Sequence, residues 1–143
     1  MTSLPEAIAQ HLEDNGLGEY HTSGAVFENG DWAIVLEGMP PDPPLIVCVT
    51  QYEGVEADSK LPWDEPRIQI RVRGDRNPLT SRDRAQLIYD LLNGLGPETL
   101  STVRLQLIIG LGSGPSALGQ DQNLRFEHVC NFEVTMFNPN RRP

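Results

Sequence analysis

The sequence predicts a single α+β domain over residues 1–143, with an N-terminal helix and a central helix packed on a mixed or antiparallel β-sheet. The length of 143 residues fits one domain with one core. Several segments alternate apolar and polar residues, the period of a strand with one buried face, and two have the spacing of an amphipathic helix. Their order, α-β-β-β-β-α-β-β, describes a sheet with helices on its apolar face.

Both predicted helices carry start signals. Ser3 and Glu6 form the Ser-x-x-Glu pattern of a capping box, which predicts a helix starting just after Ser3. The central helix lies within residues 77–96, with Thr80 as its cap and Asp83 three residues later. Its apolar face is predicted to consist of Ala85, Ile88, Leu91 and Leu92.

The strands are predicted from alternation and turn signals. Asn29-Gly30 suits the tight turn of a hairpin within residues 24–40, and a well-buried strand follows within 44–54. The next strand, 67–73, is predicted to bury Ile68, Ile70 and Val72 and to direct Arg67, Gln69, Arg71 and Arg73 outward. A strand within 102–110 precedes the last one, whose inward residues are predicted to be Leu124, Phe126, Cys130, Phe132, Val134 and Met136 and whose outward residues are Arg125, Glu127, Asn131, Glu133 and Thr135.

Two segments are predicted to lie outside the sheet. Residues 54–66 are polar and bounded by proline, which predicts an exposed loop with Trp63 near its tip. Trp63 there is either an anchor for a partner or folds back to cap the domain's own core. Trp32, which begins a strand, is predicted to lie in the core. Residues 138–143 are predicted to form a short flexible C-terminal tail.

Charge is distributed unevenly along the chain. The net charge is −9, yet all ten arginines lie at or beyond residue 67, whereas the first 66 residues contain a single basic residue, Lys60. Such asymmetry arises by chance, or it places an acidic surface of one copy against an arginine-bearing surface of the next. A duplex DNA-binding domain usually has a clear basic excess, so direct DNA readout is not expected.

The sequence contains no recognisable catalytic, metal or cofactor site. Glycines at 110, 112 and 114 do not match the spacing of a nucleotide-binding loop, so we expect a flexible hairpin connection there. His128 and Cys130 share one face of the last strand, but no further ligands lie at recognisable spacing. Both are therefore expected in the core.

Targeting signals are also missing from the sequence. No apolar run approaches the roughly 20 residues that a membrane span needs, and the N-terminus lacks a secretory pattern. Two cysteines are too few for a disulfide framework. We therefore expect a cytoplasmic protein with reduced thiols and no membrane contact.

Several segments in a fixed order resemble one known family. These are residues 31–40 (DWAIVLEGMP), 44–54 (PLIVCVTQYEG), 66–92 (PRIQIRVRGDRNPLTSRDRAQLIYDLL) and 131–134 (NFEV). Together they resemble the tail terminator proteins of long-tailed bacteriophages, a group also called phage minor capsid proteins. The likeness covers most of the chain, and the order and spacing of the segments carry it.

The resemblance implies a structural virion protein with no catalysis and no cofactor. Such proteins form a ring, expected here to be a hexamer, that caps the completed tail tube, stops its polymerisation and provides the head–tail joining surface. The implied partners are other copies of the chain, the tail tube protein and the head–tail connector protein, with DNA passing through the lumen without specific binding. The implied location is the tail–neck junction of the virion, after assembly in the host cytoplasm.

Four residues are the predicted contacts in such a ring. Arg71, Arg73 and Arg76 are expected to contact a neighbouring subunit or the tail tube, and Trp63 is the candidate anchor. Alternatively, one or two of the arginines pair with Asp75 or Asp83 nearby, an interaction contributing only about 0–1 kcal/mol at a surface. Two other functions remain open: a head-completion or connector protein of the neck, and a small-ligand or regulatory binding domain.

Overall fold

The computed structural model describes residues 3–20, 32–56 and 60–139 of the chain. Within these ranges two helices and eight strands follow one another along the chain. They are α1 (Leu4–Asp14), β1 (Glu19–Tyr20), β2 (Ala33–Leu36), β3 (Ile46–Val55), β4 (Trp63–Arg73), α2 (Pro78–Leu92), β5 (Glu98–Leu100), β6 (Val103–Gly110), β7 (Ser116–Gln120) and β8 (Phe126–Phe137). No helix in this part of the chain is long and apolar enough to cross a membrane.

The eight strands form one curled, mixed sheet. Their order is β1-β2-β3-β4-β8-β6-β5, and β7 also pairs with β8. Pairing is parallel between β1, β2 and β3 and antiparallel elsewhere. The predicted α+β class is thus confirmed, although β1, β5 and β7 were not predicted. The hairpin turn predicted at Asn29-Gly30 lies outside the described residues.

The two helices begin with different caps. At α1 the predicted capping box is present, because the Ser3 hydroxyl accepts the Glu6 N–H and the Glu6 side chain returns to Ser3. The cap predicted for α2 was wrong: the helix begins after Asn77, whose side chain accepts the Leu79 N–H at 3.0 Å. Asn is a strong cap and Pro78 suits the first helical position, so the cap lies at Asn77, three residues before Thr80.

Both helices pack on the same face of the sheet. The residues predicted to face inward from β4 are buried there. Of those predicted from β8, Cys130, Phe132 and Val134 are buried, and Phe126 and Met136 are partly buried. Leu124 is the exception, because β8 begins only at Phe126 and Leu124 lies half-exposed in the preceding turn. Fully burying one large apolar side chain contributes about 1.5–3 kcal/mol, so this shared core fixes the strand register.

The opposite face, called here the outer face, is covered at one end by residues 38–44, called here the strap. Under the strap lies a small apolar cluster of Ala33, Ile46 and Cys48, against which Met39 packs. Cys48 is thus buried, as expected for the strand predicted within 44–54, but on the side of the sheet away from the helices.

The prediction of an exposed loop over residues 54–66 was wrong at both ends. Strand β3 extends to Val55 and β4 already begins at Trp63, where it pairs with the end of β8. Residues 57–59 between them lie outside the described residues. Pro66 made this stretch resemble a loop, but it lies beside a bulge in β3, between Tyr52 and Val55, where the regular ladder is interrupted.

The chain remains bonded to the sheet just beyond β8. The Asn138 N–H donates to the Pro62 carbonyl at 2.6 Å, and the Asn138 side-chain amide donates to Asp64 at 2.8 Å. The first residue of the predicted flexible tail 138–143 is therefore held in place. Residues 140–143 lie outside the described part of the chain.

Candidate functional site on the outer face of the sheet

Strand β4 lies in the middle of the sheet, between β3 and β8. Trp63, Arg71 and Arg73, three of the four predicted contact residues, alternate to the same side of this strand, and Arg76 follows it before α2. Because the helices cover the inner face, the side chains of this series run along the centre of the outer face. The structure thus brings Trp63, Arg71 and Arg73 onto one face but gives each a different environment.

Arg71 forms an ion pair on the outer face. Its Nε lies 2.6 Å from the Glu127 carboxylate, and the two side chains are 46% and 9% exposed. The partner is neither Asp75 nor Asp83, which sequence proximity had favoured. Glu127 was predicted to face outward, but nothing in the sequence indicated that β8 lies beside β4. Arg71 therefore keeps part of its surface available while neutralising a buried carboxylate.

Arg73 is buried, with 4% of its surface exposed. Its guanidinium donates to three strap carbonyls, those of Pro41, Pro43 and Pro44, at 2.8–3.2 Å. Burial and the neighbouring Arg125 lower the pKa of Arg73 below the usual arginine value. The side chain holds the strap on the sheet within one subunit, so we do not retain Arg73 among the candidate contacts.

Arg76 lies in the turn between β4 and α2 and is exposed. The turn is fixed by its neighbours, because the Asn77 N–H donates to the Asp75 carboxylate at 2.8 Å. Within the described residues no hydrogen bond or ion pair involves the Arg76 side chain. Of the three predicted arginines, Arg76 is the one with an uncommitted cationic group on the surface.

Trp63 is half-buried, and its ring meets that of Phe137 edge to face at a centroid distance of 5.7 Å. Arg104 lies over the other aromatic ring of this pair, 5.7 Å from the Phe137 centroid. Trp63 thus packs against its own chain and also remains partly exposed. Trp32 packs against the main core, as predicted, with the Arg84 guanidinium 4.7 Å from its ring centroid.

Polar side chains occupy the middle of the outer face. Asn131 accepts hydrogen bonds from the Tyr52 hydroxyl at 3.2 Å and from the Gln69 amide at 3.4 Å. Nearby, the buried Nε of Arg67 has no hydrogen-bond partner among the described residues. Hydrogen-bonding and charged groups of this kind can recognise another protein surface, whereas no nucleophile with an adjacent base lies among them.

The histidine predicted in the core lies under α2. His128 Nδ1 is 2.7 Å from the Ser81 hydroxyl, and both residues are buried. Cys130 is buried beside them, and burial raises the pKa of its thiol to about 12. The predicted core positions of His128 and Cys130 are therefore confirmed. No group of three or more potential metal ligands occurs within the ranges that the structure describes.

The buried His128 should make stability depend on pH. Burial, together with the charge of Arg82, lowers its pKa below the usual value of 6.5. The unfolded chain therefore binds a proton at His128 more readily than the folded chain does. The free energy of unfolding should have its full value above about pH 6.5 and decrease as the pH falls below it, by at most about 1.4 kcal/mol per pH unit.

Denaturant titrations across this range test the prediction, with His128→Gln as the comparison. The variant should show a weaker dependence between neutral and mildly acidic pH. Equal slopes in the two proteins would contradict the assignment to His128.

Comparison with models of known protein families gives a match over most of the chain. A family model described as Bacteriophage tail terminator protein matches residues 11–136. This range covers the last four residues of α1, all of α2 and every strand of the sheet except the last residue of β8. No curated protein sequence gives a significant match.

Proposed function

Because the chain belongs to the bacteriophage tail terminator family, we propose that it forms a ring on the completed tail tube, stops tube polymerisation and provides the surface to which the head joins. The family match over residues 11–136 is the observation that carries this proposal. A phage tail role makes the protein a virion-associated one, and we place it at the tail–neck junction. Six copies of the 15.9 kDa chain would give a ring of about 95 kDa.

The proposed role is structural and non-catalytic. The outer face supports it, because its polar centre is suited to contact with a protein and the buried Ser81–His128 pair is closed to a substrate by α2. The net charge of −9 also fits a lumen through which DNA slides without specific binding.

Three of the predicted contact residues remain in this proposal. Arg76 offers an uncommitted charge, Arg71 a partly exposed one, and Trp63 a partly exposed aromatic ring. Aromatic and arginine side chains dominate the binding energy of many protein interfaces. We assign these three to contacts with a neighbouring subunit or with the tail tube.

The deciding experiment is electron microscopy of particles from a phage that lacks this gene, with tail length as the measured quantity. Overlong, headless tubes are expected, because the signal that stops polymerisation would be missing. Tails of normal length beside separate heads would instead assign the protein to the head–tail connection and remove the capping role.

Complementation of the same phage tests the contact residues. Arg76→Glu should restore normal tails poorly, because it reverses an exposed charge without breaking a bond within the subunit. Arg82→Glu is the control, since Arg82 is also exposed, at 55% of its side chain, but lies on α2 outside the candidate site. Equal restoration by both variants would remove Arg76 from the interface.

A further inference from the structure

A long uncharged segment lies beside β8 and includes β7, one of the edge strands of the sheet. No Asp, Glu, Lys or Arg occurs between Arg104 and Asp121, although charged residues make up 22% of the chain. In the fold this segment supplies most of β6, the glycine-rich connection after it and all of β7. The proposed contacts of Arg71, Arg76 and Trp63 leave this segment unexplained.

Apolar side chains are exposed along this segment. Ile109, Leu111 and Leu118 are between 38% and 51% exposed, and every residue of β7 is exposed. Leu118 is the extra residue of a bulge, because Ala117 pairs with His128 and Gly119 pairs with Glu127. Bulges commonly redirect a side chain, and this one leaves Leu118 at the surface. We call Ile109, Leu111 and β7 the uncharged patch.

The other two edge strands in the described part of the chain are protected by carboxylates. At β1, the Tyr20 N–H donates to the Glu13 carboxylate at 2.7 Å. At β5, Glu98 lies on the strand itself and is exposed. Charged groups of this kind prevent edge strands from pairing with other chains. β7 carries no such group, so this edge is the one open to association.

Charge also indicates which partner fits the patch. Each copy of the chain carries a net charge of −9, so a contact surface without carboxylates brings the least like charge of two copies together. Protein interfaces typically have a core depleted of charge and a polar rim. The Arg71–Glu127 ion pair fits such a rim. Arg71 on β4 pairs with Val129 on β8, which pairs in turn with Ser116 on β7. Arg71 therefore lies two strand spacings, or about 10 Å, from β7.

We propose that the uncharged patch is a contact surface between copies of this chain, with Leu118 near its centre. The inference rests on the proposed ring and assigns one of the two different surfaces that each subunit of a closed ring must use. Arg71 then lies at the margin of the contact, and Arg76 and Trp63 are available to the tail tube.

Sedimentation velocity over a range of protein concentrations tests the proposal. Leu118→Lys should raise the apparent dissociation constant of wild-type assembly by about tenfold or more, because it places a charge in the contact. Leu87→Lys is a matched control: Leu87 lies on α2, outside the patch, and is 52% exposed, against 51% for Leu118. Hydrogen exchange of the β7 amides should slow on assembly of the wild type.

The proposal is overturned if the wild type remains a single copy at every concentration, or if Leu118→Lys assembles as readily as the wild type. An equal effect of both substitutions would also overturn it. Its failure is distinguishable from failure of the proposed function. If the gene-deleted phage made overlong tails but Leu118→Lys assembled normally, only the patch would be rejected. If the gene-deleted phage made tails of normal length but Leu118→Lys failed to assemble, only the terminator role would be rejected.

Discussion

Replacing Arg73 with alanine should lower the free energy of unfolding by about 3 kcal/mol. The guanidinium donates to the carbonyls of Pro41, Pro43 and Pro44, and only 4% of the residue is exposed. Among the described residues, its removal leaves these carbonyls with one side-chain donor, the Arg125 guanidinium on Pro41. Urea denaturation measures the change. Arg82→Ala is the control and should cost less than about 1 kcal/mol, because its side chain is 55% exposed.

The thiol of Cys48 gives an independent measure of the same change. Cys48 is buried in the small cluster against which the strap residue Met39 packs, and burial raises the pKa of its thiol. In Arg73→Ala the strap should separate from the sheet, so a thiol reagent should modify Cys48 faster under native conditions. Cys130, in the main core under α2, should remain unreactive. An unchanged rate at Cys48 would show that contacts other than Arg73 hold the strap.

Replacing Gly54 with alanine should lower the free energy of unfolding by about 2–4 kcal/mol. Gly54 lies at the bulge of β3, and a Cβ atom there would overlap the Glu65 carbonyl and contact the backbone of Pro66. Because backbone of the central strand cannot move aside as a flexible side chain can, β3 would have to separate from β4 at this point.

Gly38→Ala provides the matched control for Gly54→Ala. A Cβ atom at Gly38 would meet nothing within 4 Å, so the substitution should change stability by less than about 0.5 kcal/mol. Thermal or urea unfolding of the two variants measures the difference. If they proved equally stable, close backbone approach would not be the reason for glycine at position 54.

Patterns within one strand or helix predicted much of the fold. The alternation of Ile68, Ile70 and Val72 predicted the buried face of β4 correctly, and the Ser3–Glu6 pair predicted the start of α1. Such signals are local, because a period of two residues or a cap three residues away depends only on neighbouring chain.

Contacts between distant segments could not be predicted in this way. Of the arginines predicted to face outward from β4, Arg71 forms an ion pair with Glu127 and Arg73 donates hydrogen bonds to the strap. These contacts could not be predicted, because β8 and residues 41–44 lie beside β4 only in the folded chain. The sequence also gave no sign that Pro66 could continue a central strand, since the bulge in β3 that accommodates it belongs to another segment. Only Arg76 remains an uncommitted surface arginine of the predicted three.

The position of β8 has a consequence for how the sheet is built during synthesis. β8 pairs with β4, β6 and β7, yet it follows all three in the chain. While a ribosome is still making residues before 126, only β1 to β4 and the β5–β6 pair can form their ladders. The two halves of the sheet are joined when β8 inserts between them, so the complete fold forms late in translation and depends on contacts between residues far apart in sequence.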